Sequence, residues 1–358
     1  MSQPQEPNRP RARRATLAQV AKRAGVSKTT ASFVLTGKAD QHRISEEVLM
    51  RVRQAAIELD YVPNRLVHSL RRGATRILSF YNGFRNRSAD DLYLDIFTSA
   101  IERAAGKRGY DILIHCDFSR TPIEEYRHLN GGVVDGVLLW APRRHDPLLP
   151  YLRRSRLPTV LVSRFDPEGV LPGVCDDMDS GIQQLTERLY RLGHRDVAIL
   201  AELSGRLYET EERIEKMQTA LRTHGVEVPP ERIIDYHGDM TGPLRQLLCS
   251  SCPPTALFCW RDRLAYWVVE ICESLGVKIP EQLSVVGYDG LYWPAATRHR
   301  VTSVKVDLNA LADASVALLV DYVEGREVDT HQKVIPVTIL EGTTLGPAPL
   351  TAKTAFRR

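Results

Sequence analysis

Polar and aromatic side chains follow several short apolar runs in the second part of the sequence. Arg164, Arg261 and Asp289, for example, each stand at or just after the end of such a run. Guanidinium and carboxylate groups bind hydroxyl groups or anions through hydrogen bonds, and aromatic rings stack on sugar rings. These residue types therefore favour reversible binding of a small polar ligand. The candidates given by their position are Tyr81, Asn82, Trp140, Ser163, Arg164, Trp260, Arg261, Asp262, Asp289, Tyr292 and Trp293.

Each of these residues also has a simpler interpretation. Arg164 and Arg261 could form surface ion pairs, and a tryptophan near a strand end could pack in the core. Asp289 could cap the turn that follows it. The sequence leaves these alternatives open.

The apolar runs that precede the candidates predict strands, and amphipathic stretches of helical period separate them. Continuous apolar strands alternating with helices are typical of parallel sheets that are covered on both faces. Two lobes fit a segment of this length better than one sheet, and ligands bind beyond the carboxyl ends of such strands. The predicted strands cover 77–81, 110–116, 136–140, 159–163, 197–201, 255–259 and 283–288.

A second group of candidates lies near the N terminus, where the sequence predicts two short helices. Thr16 and Ser27 can each cap a helix, and Gly25 supplies the turn between the two. This is helix-turn-helix spacing, which projects the start of the second helix towards the major groove of DNA. An ordinary helical hairpin is the alternative. The residues predicted to contact DNA are Thr16, Ser27, Lys28, Thr29, Thr30, Ser32 and Phe33.

The apolar residues of this region predict how the short helices pack. Leu17, Val20, Ala21 and Ala24 would face inwards from the first helix, and Val26, Ala31, Val34 and Leu35 from the turn and second helix. A third helix is predicted to begin after Ser45, with a stripe formed by Val48, Val52, Ala55, Ala56 and Leu59. Residues 64–73 could then form only two helical turns, which would be marginal without a partner.

The charge of the chain is divided unevenly. Residues 1–76 hold 15 Lys and Arg against 6 Asp and Glu, whereas residues 77–358 hold 33 against 38. A basic first segment favours binding of a polyanion such as DNA, although a solvated basic tail would give the same counts.

Several function classes receive no support from the sequence. No apolar run approaches the roughly 20 residues needed to cross a bilayer, and the first 30 residues lack a secretory signal. Six sparse cysteines indicate a reducing compartment, and Cys249-Ser-Ser-Cys252 lacks the second ligand pair that a zinc site needs. Sequence motifs of common enzymes are missing, and the histidines occur singly. We therefore predict no enzyme activity, no cofactor, no metal and no membrane partner.

Three N-terminal segments share a family pattern: TLAQVA from Thr16, AGVS from Ala24, and YVPN from Tyr61 followed by Ser69 and Leu70. They closely resemble the head and hinge of the LacI/GalR (lac repressor) family of bacterial transcription regulators. The resemblance implies that the hinge helices of two subunits pair in the DNA minor groove, where Leu70 would wedge between bases and bend the operator. A linker role for Leu70 is the alternative. The hinge residues implied to contact DNA are Tyr61, Asn64, Arg65, Val67, His68, Leu70 and Arg71.

Two later segments resemble the same family: LYRLGHRDVAI from Leu189, and PEQLSVVGYD ending at Asp289. The resemblance covers almost the whole chain and implies the periplasmic-binding-protein-like fold, with a cleft between two similar lobes. It also implies that Arg213 matches the arginine that commonly holds a sugar hydroxyl. Asp289 matches the aspartate after the late strand.

The sequence departs from the family pattern at several positions. Ala31 and Phe33 stand where a valine and a polar residue are usual, so we expect an unusual operator sequence. Arg261 replaces the asparagine of an Asn-Asp pair, and Lys216 replaces a glycine. If Arg164, Arg213 and Arg261 converge, their guanidinium groups would favour an anionic effector such as a uronate or phosphosugar.

The predicted division of the chain has five parts. A basic disordered tail (1–13) precedes the helix-turn-helix head (14–62), the hinge (63–75), a two-lobed effector-binding and dimerisation domain (76–346) and a flexible tail (347–358). The first lobe would hold 76–178 and 305–332, and the second 179–304 and 333–346. The helix from Leu92 to Ala105 could contact a second subunit or pack on its own sheet. The C-terminal tail lacks leucine heptads, so no tetramer-forming coiled coil is predicted.

The combined interpretation is a homodimeric transcription repressor of carbohydrate-related genes. A sugar-like effector between the lobes would control the affinity for a pseudo-palindromic operator in double-stranded DNA. The resemblance implies a bacterial, cytoplasmic protein that is associated with the nucleoid when bound to its operator. An activator or dual regulator of the same family stays open. A cytosolic sugar-binding protein or enzyme is the alternative from another class.

Overall fold

The computed structural model describes residues 15–62, 74–83, 91–143, 145–203, 208–236, 240–328 and 331–349. The chain divides into two compact units, Met1–Thr75 and Arg76–Arg358. The predicted hinge residues from Asn64 to Arg71, which include Leu70, lie outside the described residues.

The first unit contains three helices whose ends are fixed by local hydrogen bonds. Thr16 and Gln19 form a capping box in which each side chain accepts a backbone N–H of the other, at 3.4 and 2.8 Å. Gly25 ends the first helix at φ 67°, a left-handed conformation that glycine adopts without strain. Ser27 Oγ accepts the Thr30 N–H at 3.0 Å and caps the second helix. The helices are α1 (Leu17–Ala24), α2 (Lys28–Leu35) and α3 (Glu46–Glu58), with a short 3₁₀ turn at Asp40–His42.

Small apolar residues form the core of this unit and let the helices cross closely. Val20, Ala31 and Val52 are fully buried, and the residues predicted to face inwards all belong to this core or pack against it. The stripe predicted for α3 needs one correction, since Leu49 is buried whereas Val48 is only partly buried. The helical twist shifts the buried face by one residue at this end.

One predicted polar contact of this unit, the side-chain cap of α3, is not formed. Ser45 occupies the position before α3 with extended backbone, but its side chain makes no capping hydrogen bond. An ion pair at 2.8 Å between Arg23 and Glu58 instead joins α1 to α3 at the surface.

The described strands of the second unit form two six-stranded sheets, as the alternating pattern predicted. The first sheet consists of β1 (Ile77–Asn82), β2 (Asp111–Ile114), β3 (Gly136–Trp140), β4 (Thr159–Val162), β5 (Gly173–Asp176) and β11 (Gln332–Ile335), in the order β11-β5-β4-β3-β1-β2. The second consists of β6 (Val197–Ala201), β7 (Ile233–Asp235), β8 (Ala256–Cys259), β9 (Ser284–Asp289), β10 (Thr302–Lys305) and β12 (Thr338–Leu340), in the order β12-β10-β9-β8-β6-β7. All neighbouring strands run parallel except β12, which is antiparallel to β10.

Helices cover both faces of each sheet, which explains the continuous apolar character of the strands. In β1, Phe80 packs in the core shared with the long helices of the first lobe, whereas Tyr81 packs on the opposite face. The helices are α4 (Leu92–Gly106), α5 (Pro122–Leu129), α6 (Leu149–Arg153), α7 (Met178–Arg191), α8 (Tyr208–Thr223), α9 (Thr241–Leu248), α10 (Asp262–Ser274) and α11 (Leu308–Val323).

The apolar face of α4 packs inside its own lobe. Phe97, Ala100, Ile101 and Ala104 are buried in the core, and α4 packs against α11. Sheet packing, rather than a subunit contact, therefore accounts for these four residues.

The chain passes between the two sheets three times, and each passage is short. It leaves the first sheet after β5, returns after β10 to form α11 and β11, and enters the second sheet again at β12. Because β11 extends to Ile335, the first lobe reaches beyond the limit of 332 that the sequence suggested. Only residues 306–307 separate β10 from α11, and only residues 336–337 separate β11 from β12.

The last described residues are attached to the second lobe. His194 Nε2 lies 2.9 Å from the carbonyl oxygen of Gly346, and the Ala348 N–H donates to the Leu192 carbonyl at 2.8 Å. Burial lowers the pKa of the fully enclosed His194. The first residues of the predicted flexible tail are thus bonded to the lobe. Among the described residues, no helix combines the length and the apolar character needed to cross a membrane.

Candidate ligand cleft and nucleic-acid interface

A cavity lies between the two lobes, and residues of both lobes line it. Six residues predicted from the sequence meet here: Trp140, Arg213, Trp260, Arg261, Asp289 and Trp293. The cavity is lined by Asp91, Tyr93, Trp140, Arg213, Trp260, Arg261, Arg263, Asp289, Leu291 and Trp293.

Strand ends supply much of this lining. Trp140 ends β3, Asp289 ends β9, and Trp260 and Arg261 stand between β8 and α10. The carboxyl ends of parallel strands meet at one edge of a sheet, so these side chains converge as the sequence predicted. Arg213 comes instead from α8, and only the family resemblance pointed to it.

Arg213 is the most enclosed cation of the cavity. Its guanidinium group donates to the Trp260 carbonyl oxygen at 2.6 Å and lies 3.4 Å from a carboxylate oxygen of Asp289. It also stacks over the Tyr288 ring, at 3.8 Å from the ring centre. Arg213 is 5% and Asp289 7% exposed, so this pair is held in a low-dielectric environment rather than at the surface.

Asp262 lies behind the cavity wall and holds the segment that follows β9. Its carboxylate accepts the Ser303 hydroxyl and the Leu291 backbone N–H, both at 2.6 Å. Burial, and after it the charge of Asp289, raise the pKa of Asp262 well above the usual value. Asp289 itself adopts φ 113°, a strained conformation for a residue with a side chain. The bonds to Asp262 fix the turn that presents Leu291 and Trp293 to the cavity.

Arg261, which departs from the family pattern, forms an ion pair within its own lobe. It lies 3.0 Å from Glu202, which follows β6, and its guanidinium group lies 4.7 Å from the centre of a Trp260 ring. Because β6 and β8 are neighbours in the sheet, the two strand ends bring this pair together.

Ser163 and Arg164 do not line the cavity. They line a second pocket, together with Glu212 and Lys216. Arg164 lies 3.5 Å from Glu212. The three arginines of the anionic-ligand hypothesis therefore do not converge on one site, and each faces a carboxylate.

Residues that line the cavity and the second pocket also contact one another. The Trp140 indole N–H donates to the Ser163 hydroxyl at 3.2 Å. Across the cleft, the Tyr288 hydroxyl donates to Asp176 at 2.5 Å and joins the second lobe to the first.

Tyr81 is also absent from the lining of the cavity. It is 1% exposed and lies near the rings of His115 and Phe118, at 5.7 and 6.2 Å. Successive residues of a strand point to opposite faces, and Tyr81 points to the face covered by α5 and α6. The structure therefore does not bring Tyr81 to the cavity.

Four lining residues were not identified from the sequence: Asp91, Tyr93, Arg263 and Leu291. Asp91 caps α4, and the Tyr93 ring stacks on Trp140 at 5.8 Å. Arg263 lies against the rings of Trp267 and Trp293, at 4.6 and 5.5 Å. The start of a helix after a strand was the available signal for Asp91 and Tyr93.

The start of α2 presents two predicted DNA contacts in the first unit. Lys28 and Thr29 are exposed there. Ser27 and Thr30 lie beside them, and their hydroxyl groups are 2.9 Å apart. Ser32 is half-buried.

Three further predicted DNA contacts are engaged in local packing. The Thr16 side chain belongs to the capping box of α1. The Phe33 ring stacks on His42 at 3.5 Å between ring centres. Tyr61 packs against the helical core, and burial raises its pKa. Through these local contacts, the three residues help to hold the helices so that the start of α2 is exposed.

The two units together define a class of protein, that of DNA-binding regulators controlled by a small ligand. The family described as "Bacterial regulatory proteins, lacI family" matches residues 16–64, and "Periplasmic binding protein-like domain" matches residues 186–345. The HTH-type transcriptional regulator CelR of Thermobifida fusca is 31% identical over 342 residues, which are 92% of this chain and 98% of CelR. The HTH-type transcriptional repressor CytR of Escherichia coli K12 is 27% identical over 343 residues, 92% and 96% of the two chains. This chain belongs to the lacI family of bacterial regulatory proteins.

Solved structures support the same fold. A lac repressor dimer bound to operator and the anti-inducer ONPF aligns with a TM-score of 0.79 at 22% identity, covering 92% of this chain and 98% of that one. A complex of the transcriptional regulator CelR with cellobiose aligns with a TM-score of 0.66 at 25% identity, covering 92% and 100%. The family consists of DNA-binding transcription regulators, so the protein is a regulator and not an enzyme.

Proposed function

We propose that this protein is a homodimeric repressor of carbohydrate-related genes whose operator affinity is controlled by a sugar-like effector. The observation that carries the proposal is the interlobe cavity, which combines aromatic rings with hydrogen-bonding groups in a chain that also has a helix-turn-helix unit. Similar proteins are named as repressors, and the structure of CelR was solved with cellobiose.

The proposed DNA contacts begin with the exposed start of α2. Lys28 and Thr29 would reach base edges or phosphates in the major groove, because that end of α2 is not covered by its own unit. Ser27, Thr30 and Ser32 would contact the neighbouring backbone of the DNA, while Thr16 and Phe33 hold the helices. The proposed hinge (63–75) would enter the minor groove with Leu70, and a symmetric pair of subunits requires a pseudo-palindromic operator.

The proposed effector contacts lie on the second lobe. Arg213 and Asp289, which form a buried ion pair, would both bind hydroxyl groups of the effector. Trp260 and Arg261 would complete this side of the cavity. Ser163 and Arg164 line the second pocket, so they would respond to the effector through the contacts between the lobes.

Rotation of one lobe against the other would carry the signal. A ligand that prefers one lobe geometry shifts the population towards it, and the change reaches the hinge from the first lobe. Since a hinge helix of two turns is marginal by itself, a small change in the distance between two hinges would order or disorder it.

Selection of bound sequences from random duplex DNA by the full chain tests this proposal. We expect a two-fold symmetric site, and the Lys28→Ala variant should bind it about tenfold more weakly. Lys107→Ala removes one exposed charge from the second unit and should bind the site like the unchanged protein.

Addition of a sugar panel to the same binding assay tests the effector. A sugar that changes operator affinity at least tenfold supports allosteric control. Recovery of no symmetric site with or without the panel would contradict the regulator proposed here, and equal loss in both lysine variants would contradict the role of α2.

A further inference from the structure

The cavity between the lobes is balanced in charge. Its lining includes the guanidinium groups of Arg213, Arg261 and Arg263. The carboxylates of Asp91 and Asp289 belong to the same lining, and Glu202 lies 3.0 Å from Arg261. An anionic ligand would have to compete with carboxylates already close to two of the arginines, at 3.4 Å for Arg213 and 3.0 Å for Arg261.

Aromatic side chains from both lobes contribute to the wall. Tyr93 and Trp140 stack on one another in the first lobe, and Trp260 and Trp293 come from the second. Flat apolar rings favour the C–H faces of a sugar ring, whose hydroxyl groups then point to polar residues at its edge. Ring faces combined with paired charges suit a polar but uncharged ligand.

Buried hydrogen-bond donors in this wall are left without a partner among the described residues, and the Arg261 Nε–H and the Trp260 indole N–H are two examples. Trp260 is 4% exposed, and its indole N–H has no hydrogen-bond partner among the described residues. The Trp140 indole differs, because it donates to Ser163. A buried donor without a partner is costly, and such groups usually meet an acceptor from a ligand or water.

We infer that the effector is an uncharged saccharide and that the Trp260 indole N–H donates a hydrogen bond to one of its hydroxyl oxygens. This inference rests on the proposed effector function of the cavity and names the ligand class and one residue that selects it. Arg213 and Asp289 are partners of each other before the ligand arrives, so they offer one donor and one acceptor to hydroxyl groups rather than a net positive charge.

Calorimetric titration of the full chain with matched sugars tests the charge of the ligand. The uncharged probes are D-glucose, D-galactose and cellobiose, and the anionic probes are D-glucuronate, D-galacturonate and glucose 6-phosphate. We expect at least one uncharged sugar to bind and its anionic counterparts to bind at least tenfold more weakly. An anionic sugar that binds more tightly than its uncharged counterpart would overturn this inference and leave the proposed sugar effector intact. Binding of none of the six sugars would overturn the saccharide effector itself.

The Trp260→Phe variant tests the donor. It keeps an aromatic ring and removes the N–H, so affinity for the uncharged sugar should fall about tenfold. Trp267→Phe is the matched control, because Trp267 lies in the same lobe and does not line the cavity. Equal affinities of the Trp260→Phe variant and the unchanged protein would overturn the role of the donor.

Monodeoxy sugars separate a hydrogen bond from a packing effect and also serve if the variant folds poorly. With the unchanged protein, loss of the hydroxyl group that meets Trp260 should cost about tenfold in affinity. The same deoxy sugar and its parent should bind the Trp260→Phe variant equally. If every deoxy sugar loses the same factor with both proteins, the donor does not contact a hydroxyl group, and this part of the inference is wrong.

Discussion

The two lobes share one strand order, although the direction of the last strand differs, and they contribute differently to the cavity between them. The second lobe supplies Arg213, Asp289 and their neighbours, which are connected by buried hydrogen bonds and a cation–π contact. The described part of the first lobe supplies Asp91 and the stacked pair of Tyr93 and Trp140. One lobe thus holds a preorganised polar surface, and the other presents mainly aromatic rings. For the proposed sugar effector, the second lobe would therefore fix which hydroxyl groups are recognised, and the first lobe would cover the sugar ring.

Within the polar network of the second lobe, replacement of Arg213 should cause the largest loss of stability. The Arg213→Met change leaves the buried Asp289 carboxylate without its guanidinium partner, so the free energy of unfolding should fall by about 3 kcal/mol. Sugar affinity should also fall sharply. Urea denaturation and titration calorimetry measure the two effects. Arg191→Met serves as the control, because its ion pair with Glu187 is exposed, and it should change neither quantity measurably. An unchanged unfolding free energy for Arg213→Met would contradict the buried network.

Replacement of Asp262 should cause the next largest loss of stability, since this residue supports a turn of the same lobe without lining the cavity. The Asp262→Ala change leaves the Ser303 hydroxyl and the Leu291 N–H without their acceptor, at a cost of about 2 kcal/mol in stability. The Asp262→Asn variant keeps one acceptor oxygen and should lose less.

The pH dependence of the Asp262→Asn variant gives a second readout. The folded-state pKa of Asp262 is raised, so the folded protein binds this proton more tightly than the unfolded chain. The resulting stabilisation is present at acidic pH and is lost as the pH rises through the folded pKa. Between pH 4 and pH 8, the free energy of unfolding should decline less in the Asp262→Asn variant than in the unchanged protein. Equal declines in the two proteins would contradict a titration of Asp262 in this range.

A buried histidine gives the first lobe an effect that appears only at acidic pH. Burial, His128 and Arg120, in that order, lower the pKa of His115 to about 4. Its Nε2 lies 2.8 Å from the Ser79 hydroxyl, and its Nδ1 lies 3.7 Å from Glu125. The unfolded chain takes up a proton near pH 6.5, so stability should fall by about 2 kcal/mol as the pH drops from 6.5 to 4.

Replacement of this histidine checks the assignment. His115→Gln should flatten that part of the stability curve in chemical denaturation, whereas replacement of the exposed His145 by glutamine should leave it unchanged. A curve that keeps its slope in the His115→Gln protein would show that another group titrates in this range.

The sequence predicted the second-lobe wall better than the first-lobe wall, for a reason that lies in strand geometry. Trp260, Arg261 and Asp289 follow the ends of strands that are neighbours in a parallel sheet, so their chain positions bring them together. Tyr81 follows the same rule, yet it faces α5 and α6, because an apolar run does not reveal which face each residue takes. Ser163 and Arg164 follow a strand end as predicted, but they line a second pocket beside it rather than the cavity.

The first unit was predicted in more detail because its signals are local. Thr16, Gly25 and Ser27 act within a few residues of their own positions, and capping does not depend on distant packing. Tyr93 of the cavity depends instead on the orientation of α4 against its sheet. Long-range packing of this kind leaves no mark in the residues around it.

The three short passages between the lobes also determine how many ways the lobes can move. Three short connections, two of them with only a pair of residues between elements, would limit sliding and separation of the lobes. We expect the main remaining freedom to be a tilt of one lobe against the other. With one main motion left, binding in the cavity would change the angle between the two lobes. A segment attached to the first lobe would respond to that angle.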